Sequence, residues 1–257
     1  MSDVLLSEDR GRIRILTFNR PQAKNAFNDD LYDAVTEALR TAADDPGVAV
    51  VVLTGAEGAF SAGQDLSEMT KARTSEEAET SGFMPFVDTI QSFPKPLIAA
   101  VNGVAVGIGV TMLLHCDLVF VGERARLRAP FASLGIVVEA GSSVLFPQRI
   151  GWQNSAHLLF TSAFVSAAEA VRMGLAWREY SDERLLVEVL NYAEQIAAMP
   201  VAALVENKKL LLESRVAAVV EARPREQDAL ARTVGSPANL EAINAFMEKR
   251  APDFTSL

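Results

Sequence analysis

Short apolar runs alternate with amphipathic stretches along the first half of the chain. Arg12 to Phe18 has the pattern of a strand, and the turn Asn19-Arg20-Pro21 ends it. Leu31, Val35, Ala38 and Leu39 recur at helical spacing behind Asn28, whose side chain suits a helix cap, and Asp45-Pro46-Gly47 stops that helix. Val48 to Leu53, Leu97 to Val101 and Leu118 to Val121 are continuous apolar runs, the signature of strands covered on both faces. A glycine-rich turn spans Gly55 to Gly63, and the polar stretch Ser67 to Gly82 reads as a loop holding a short helix. Leu97 to Leu114 is apolar apart from Asn102 and Thr111, long enough to suggest a membrane span. Its glycines at 103, 107 and 109 instead predict a buried strand, a turn and a helix starting near Val110.

From about Ser155 onward the pattern turns helical. Helices are expected at Ser155–Phe160, Ala167–Met173, Asp182–Met199, Pro200–Ser214 and Pro237–Lys249. Strands first and helices last predict an α/β core over residues 1–195 and a helical region over 196–257. The Ala-rich final helices suit subunit contacts as well as core.

Composition narrows the function classes. The chain has 257 residues, with 24 Lys+Arg against 33 Asp+Glu, a formal charge of −9. An acidic chain is a poor nucleic-acid binder, so no nucleic-acid partner is expected. One cysteine, Cys116, excludes a disulfide framework and a thiolate metal cluster, and His115 and His157 are scant material for zinc, so no metal is expected. Met1 to Arg14 lacks the basic-then-apolar signal pattern, and Thr255-Ser256-Leu257 lacks the basic middle residue of a peroxisomal address. A cytoplasmic location without membrane association is the expectation.

Three segments carry candidate chemistry. Ala59 to Leu66 follows a buried strand and could offer free amide N–H groups to a ligand; a simple tight turn explains the same residues. Asn102 to Gly109 leads into a helix, whose first N–H groups favour negative charge on oxygen, although close packing needs glycine too. Together the two turns could grip one oxyanion. Glu139, in the apolar and small-residue run Pro130 to Ser143, has the setting that raises a carboxyl pKa toward a useful general base; a helix-start glutamate is the plainer reading. Ala59-x-Ser61-x-Gly63 comes close to a serine-hydrolase elbow but lacks its first glycine. His115-Cys116-Asp117 fits a helix end entering a strand, because consecutive residues do not face one another.

These segments, with Asn19-Arg20-Pro21 through Asn25-Ala26, Ala99 to Asp117, Pro130 to Gly151 and Phe246 to Arg250, resemble in order the motifs of the crotonase (enoyl-CoA hydratase/isomerase) superfamily. The resemblance implies a spiral of ββα units with a C-terminal helical trimerisation region, assembly as a homotrimer or dimer of trimers, and an acyl-CoA substrate. It assigns the oxyanion amides to Ala62 and Ile108. Thr111 and Phe131 stand where the hydratases carry two catalytic glutamates. Glu139 matches the single glutamate of peroxisomal-type Δ3-Δ2-enoyl-CoA isomerases. The resemblance therefore implies an isomerase, with hydration, dienoyl isomerisation, thioester hydrolysis or non-catalytic acyl-CoA binding as alternatives. CoA contacts are implied for Lys24, for the backbone of Gln64, Asp65 and Leu66, and for Phe246 and Lys249. No cofactor is implied, since coenzyme A is part of the substrate.

Overall fold

The computed structural model describes residues 4–65 and 82–257. Its larger sheet starts with an antiparallel hairpin of β1 (Leu5–Arg10) and β2 (Ile13–Phe18). It continues through β3 (Val50–Gly55), β5 (Leu97–Val101), β7 (Leu118–Gly122) and β10 (Arg178–Tyr180), all in parallel register from β2 onward, in the order β1-β2-β3-β5-β7-β10. The smaller sheet, ordered β4-β6-β8-β9, holds β4 (Ala59–Ser61), β6 (Val104–Val106), β8 (Arg126–Arg128) and β9 (Val165–Ser166).

The chain steps from one sheet to the other in a repeating unit. β3 precedes β4, β5 precedes β6 and β7 precedes β8, and helical structure follows each pair. The helical pieces are α2 (Phe83–Ser92) after β4, α3 (Ile108–Thr111) and a 3-10 turn (Met112–His115) after β6, and α4 (Ser142–Thr161) after β8. This is a ββα spiral. Every residue of β3 and β5 is buried, which explains their unbroken apolar sequence. Val51 and Leu53 face the cluster holding Leu31, Val35 and Leu39 of α1 (Asp29–Asp44). Val50 and Val52 pack with Leu185, Val189 and Ala193 of α6 (Asp182–Ala197) on the other side, as the two-residue period of a strand requires. Asn28 caps α1, its side chain accepting from the Leu31 N–H.

Several expected boundaries are corrected. β1 went unseen because it is an edge strand whose residues after Leu5 are all exposed and largely polar, leaving no alternation to read. The helix expected at Ser155 begins at Ser142; Pro147 and a break at Gly151 (φ 74°, ψ 163°) erase its amphipathic period. The helix expected to stop at Ser214 is α7 (Val201–Thr233), which continues through Pro224. Its buried residues are Lys208, Val219, Ala222 and Glu226, so no apolar stripe marks its length. Lys208 ties α7 to the core by donating to the Lys95 carbonyl and to Asp117, each at 2.8 Å. Between β9 and β10 lies α5 (Ala167–Met173), and α8 (Pro237–Met247) ends the ordered elements. Leu97 to Leu114 divides among β5, β6, α3 and the 3-10 turn, and no helix among the described residues is long and apolar enough to cross a membrane.

Candidate active site

β4 and β6 are parallel neighbours, with Ala59 opposite Val104 and Ser61 opposite Ala105. The turns that follow them therefore leave the sheet side by side. At Gly63 (φ 95°) a Cβ would lie 2.8 Å from the Val106 carbonyl oxygen, and at Gly107 (φ 54°) one would lie 3.9 Å from the Gly63 Cα. Only glycine lets the two backbones approach in this way.

The hydrogen bonds of these turns decide which amides are free. Gly63 donates to Ser61 Oγ at 3.1 Å, Ala62 to the Lys24 carbonyl at 2.9 Å, and Asp65 to the Phe27 carbonyl at 2.8 Å. The Gln64 N–H is the one without an acceptor among the described residues. Across the gap, Gly107 donates to the Arg128 carbonyl, and the N–H of Ile108, first residue of α3, has no intrahelical acceptor. The expectation for Ala62 is thus corrected: its N–H is spent on Lys24, and Gln64 presents the amide beside Ile108. Nothing local in the sequence separates the two, because the deciding carbonyl comes from a distant segment.

That segment, which carries Lys24, is a brace built on Asn25 and Arg20. Asn25, fully buried, donates to the Ala56 and Ala59 carbonyls at 3.0 and 2.7 Å and accepts the Arg20 N–H at 2.8 Å. Arg20 reaches the Ala26 carbonyl and pairs with Asp65 at 2.9 Å. Tyr32 donates its hydroxyl to Gln64 Oε1 at 2.7 Å, fixing that side chain on α1. Lys24 is exposed beside the brace. The Asp65 N–H and carboxylate both have protein partners. Leu66 lies outside the described residues. Phe246, at 63% exposure, and Lys249, also exposed, lie at and just beyond the end of α8.

Glu139 enters the same neighbourhood from the segment between β8 and α4. Thr111 donates its hydroxyl to Glu139 Oε1 at 2.6 Å. Since Thr111 lies one helical turn beyond Ile108, the carboxyl hangs from the helix whose first amide is free. Glu139 Oε2 is enclosed and has no hydrogen-bond partner among the described residues. Burial pushes the carboxyl pKa up to about 8 from 4.5; the Thr111 bond opposes the rise and the nearby Glu226 adds to it. Both glutamates line a cavity of about 100 Å³ with Phe83, Met84, Val87 and Leu230. Phe131 is buried and, like Thr111, has no group that exchanges a proton at neutral pH.

Other readings of the motifs separate cleanly. Ser61 Oγ accepts from its own turn, and His115 Nε2 bonds the Ala140 carbonyl at 2.9 Å, so the two form no hydrolase pair. Burial lowers the His115 pKa to about 3, leaving a neutral ring that donates from Nε2. Cys116 turns to the Met112 carbonyl and Asp117 to the Leu97 N–H and Lys208, so this trio points three ways. Among the described residues, the enclosed side-chain atoms without partners are His115 Nδ1, Glu139 Oε2 and Ser142 Oγ. All three lie on the 139–142 segment or on the histidine bonded to it, which makes this the candidate site.

Comparison with known proteins gives the family. Residues 8–256 match the family Enoyl-CoA hydratase/isomerase. The 2,3-dehydroadipyl-CoA hydratase of Escherichia coli (strain K12) is 33% identical over 99% of both chains. An enoyl-CoA hydratase/isomerase structure from Pseudoalteromonas atlantica T6c superposes with a TM-score of 0.92 at 35% identity, covering 98% of this chain and 100% of that one. The enoyl-CoA hydratase EchA8_6 structure of Mycobacterium marinum, at 50% identity, gives a TM-score of 0.77 and covers 82% of this chain and 99% of that one. The chain belongs to the enoyl-CoA hydratase/isomerase family, within the crotonase superfamily.

Proposed function

We propose that this enzyme moves the double bond of a 3-enoyl-CoA to give the trans-2-enoyl-CoA, using Glu139 as its only proton carrier. The observation that carries the reading is the enclosed Glu139 carboxyl, with Oε1 held by Thr111 and Oε2 unpartnered. Ionised Glu139 takes a proton from C2. The C2–H electron pair forms a C1=C2 bond, the carbonyl π pair moves onto the thioester oxygen, and the C3=C4 bond stays in place, giving a dienolate. The Gln64 and Ile108 N–H groups hold that oxygen, each contributing about 3 kcal/mol to barrier lowering. Protonated Glu139 then delivers the proton to C4: the C3=C4 pair takes it, the C1=C2 pair becomes C2=C3 and the oxygen charge reforms the carbonyl, so atoms and charge balance without a second acid or base.

Hydration is the competing reading, favoured by the names of many relatives. Adding water across a double bond needs a base for the water and a proton for the α-carbon. Thr111 and Phe131 offer neither. The other carboxylate at the cavity, Glu226, accepts from the N–H groups of Gly141 and Ser143.

Lys24 stands beside the Gln64 turn, where its ammonium would meet CoA phosphates; Phe246 and Lys249 would meet CoA from a neighbouring subunit. Assembly as a homotrimer or dimer of trimers belongs to this proposal, supported by the exposed Leu210, Leu211, Val220, Leu240 and Met247 of α7 and α8. The test is a parallel assay on 3-enoyl-, 2-enoyl- and dienoyl-CoA thioesters. Conversion of the 3-enoyl substrate to the conjugated product supports isomerisation. Hydration of 2-enoyl-CoA with the 3-enoyl substrate untouched overturns it.

A further inference from the structure

Glu226 belongs to α7, yet its carboxylate is spent on the segment that carries Glu139. Oε2 accepts the Gly141 N–H at 2.7 Å and Oε1 the Ser143 N–H at 2.8 Å, across 85 and 83 positions of sequence. Both oxygens act as acceptors, the pattern of an ionised carboxylate, in a residue only 7% exposed. The backbone it grips passes through two consecutive left-handed residues, Ala140 (φ 60°) and Gly141 (φ 76°), before α4 begins. A non-glycine residue in that region is strained and needs outside support. His115 supplies a second support by donating to the Ala140 carbonyl, and Thr111 a third at the Glu139 carboxyl.

We propose that Glu226 is a positioning residue for the proton-transfer step: by clamping the Gly141 and Ser143 amides it fixes the 139–143 backbone so that Glu139 Oε2 faces the cavity. This rests on the isomerase reading for its catalytic consequence but not for its geometry. The same carboxylate places a second negative charge at the cavity wall, which makes ionised Glu139 a stronger proton acceptor. Among the described residues the other charged group lining the cavity is Arg223 of α7, paired with Asp88 of α2 at 2.5 Å, and the neutral His115 sits behind the wall, bonded to the Ala140 carbonyl. Burial and the Glu226 charge raise the Glu139 pKa and the Thr111 bond lowers it, so removing the Glu226 charge moves it down.

Three variants separate clamp from charge. Glu226→Gln keeps size and one acceptor but removes the charge; Glu226→Asp keeps the charge on a shorter arm; Glu226→Ala removes both. The first readout is an infrared titration of the Glu139 carboxyl band, assigned by its loss in Glu139→Gln, which needs no turnover. The second is kcat and KM against pH with 3-enoyl-CoA. In Glu226→Gln the Glu139 midpoint and the acid limb of kcat/KM move together to lower pH, and kcat falls roughly tenfold or more with KM little changed. Glu226→Asp restores the midpoint toward that of the unaltered enzyme but not kcat, a split that a purely structural role would not produce. If Glu226→Gln folds and leaves both midpoint and kcat unchanged, the proposal is overturned. If it does not fold, an Asp variant with unaltered kcat and KM overturns it equally. An unaltered enzyme that fails to convert 3-enoyl-CoA removes the isomerase reading, while the infrared titration still decides whether Glu226 acts on Glu139.

Discussion

The Thr111 hydroxyl donates to Glu139 Oε1 at 2.6 Å, and this single bond orients the carboxyl. With one oxygen engaged, the other is the only site on Glu139 open to exchange a proton with a substrate. Replacing Thr111 by Val keeps the volume and removes the donor. The bond lowers the carboxyl pKa, so its loss raises it further and shrinks the ionised fraction at neutral pH. Turnover of 3-enoyl-CoA at pH 7 should fall about 10- to 100-fold, the worth of a hydrogen bond to a charged group. Activity should partly recover at alkaline pH, and Thr111→Ser should restore most of it, as a pH series on the three proteins will show.

Glu139→Gln removes the proposed proton carrier while keeping shape. Isomerisation should fall by about 10² to 10⁴, the usual contribution of a general base. Calorimetric binding of a non-reactive acyl-CoA should survive. A variant that turns over normally would take Glu139 out of the mechanism.

The same residue should leave a mark on folding. Its pKa is about 8 in the folded chain against 4.5 ordinarily, so between those values the native state holds a proton that the unfolded chain has released. Stability therefore falls as pH rises through this window, at up to about 1.4 kcal/mol per pH unit. His115, lowered to about 3 from 6.5, gives the opposite slope between those two values. The two oppose each other up to about pH 6.5, above which Glu139 acts alone. The unfolding free energy from urea titrations should decline from pH 6.5 to 8 by about 2 kcal/mol in the unaltered protein relative to Glu139→Gln.

Backbone esters test the choice of amides. An α-hydroxy acid at position 64 or 108 deletes an N–H with no acceptor among the described residues; at position 62 it deletes one bonded to Lys24. The ester at 64 or 108 should lower kcat about 10²-fold or more with little change in thermal stability. The ester at 62 should cost about 1 kcal/mol of stability and leave kcat near its original value. Equal kinetic losses at 62 and 64 would argue against the assignment to Gln64.

The sequence by itself determined the parallel buried strands, because residues covered on both faces must be apolar whatever their neighbours; β5, Leu97–Val101, is legible to the residue. It also determined the capped start of α1 at Asn28 and the glycines that let two turns meet, since caps and left-handed turns are local chemistry. It singled out Glu139 as a carboxylate in apolar surroundings. Tertiary structure alone decided which amide of the Ala59–Asp65 turn is free, because the Lys24 carbonyl that occupies Ala62 arrives from another part of the chain. It alone extended α7 to Thr233 and brought Glu226 onto Gly141 and Ser143, for that helix is held by a few long-range polar contacts rather than an apolar stripe. Periodicity records what a residue buries against the core. It carries no record of which distant donor or acceptor completes a buried hydrogen bond, and in this enzyme those bonds shape the site.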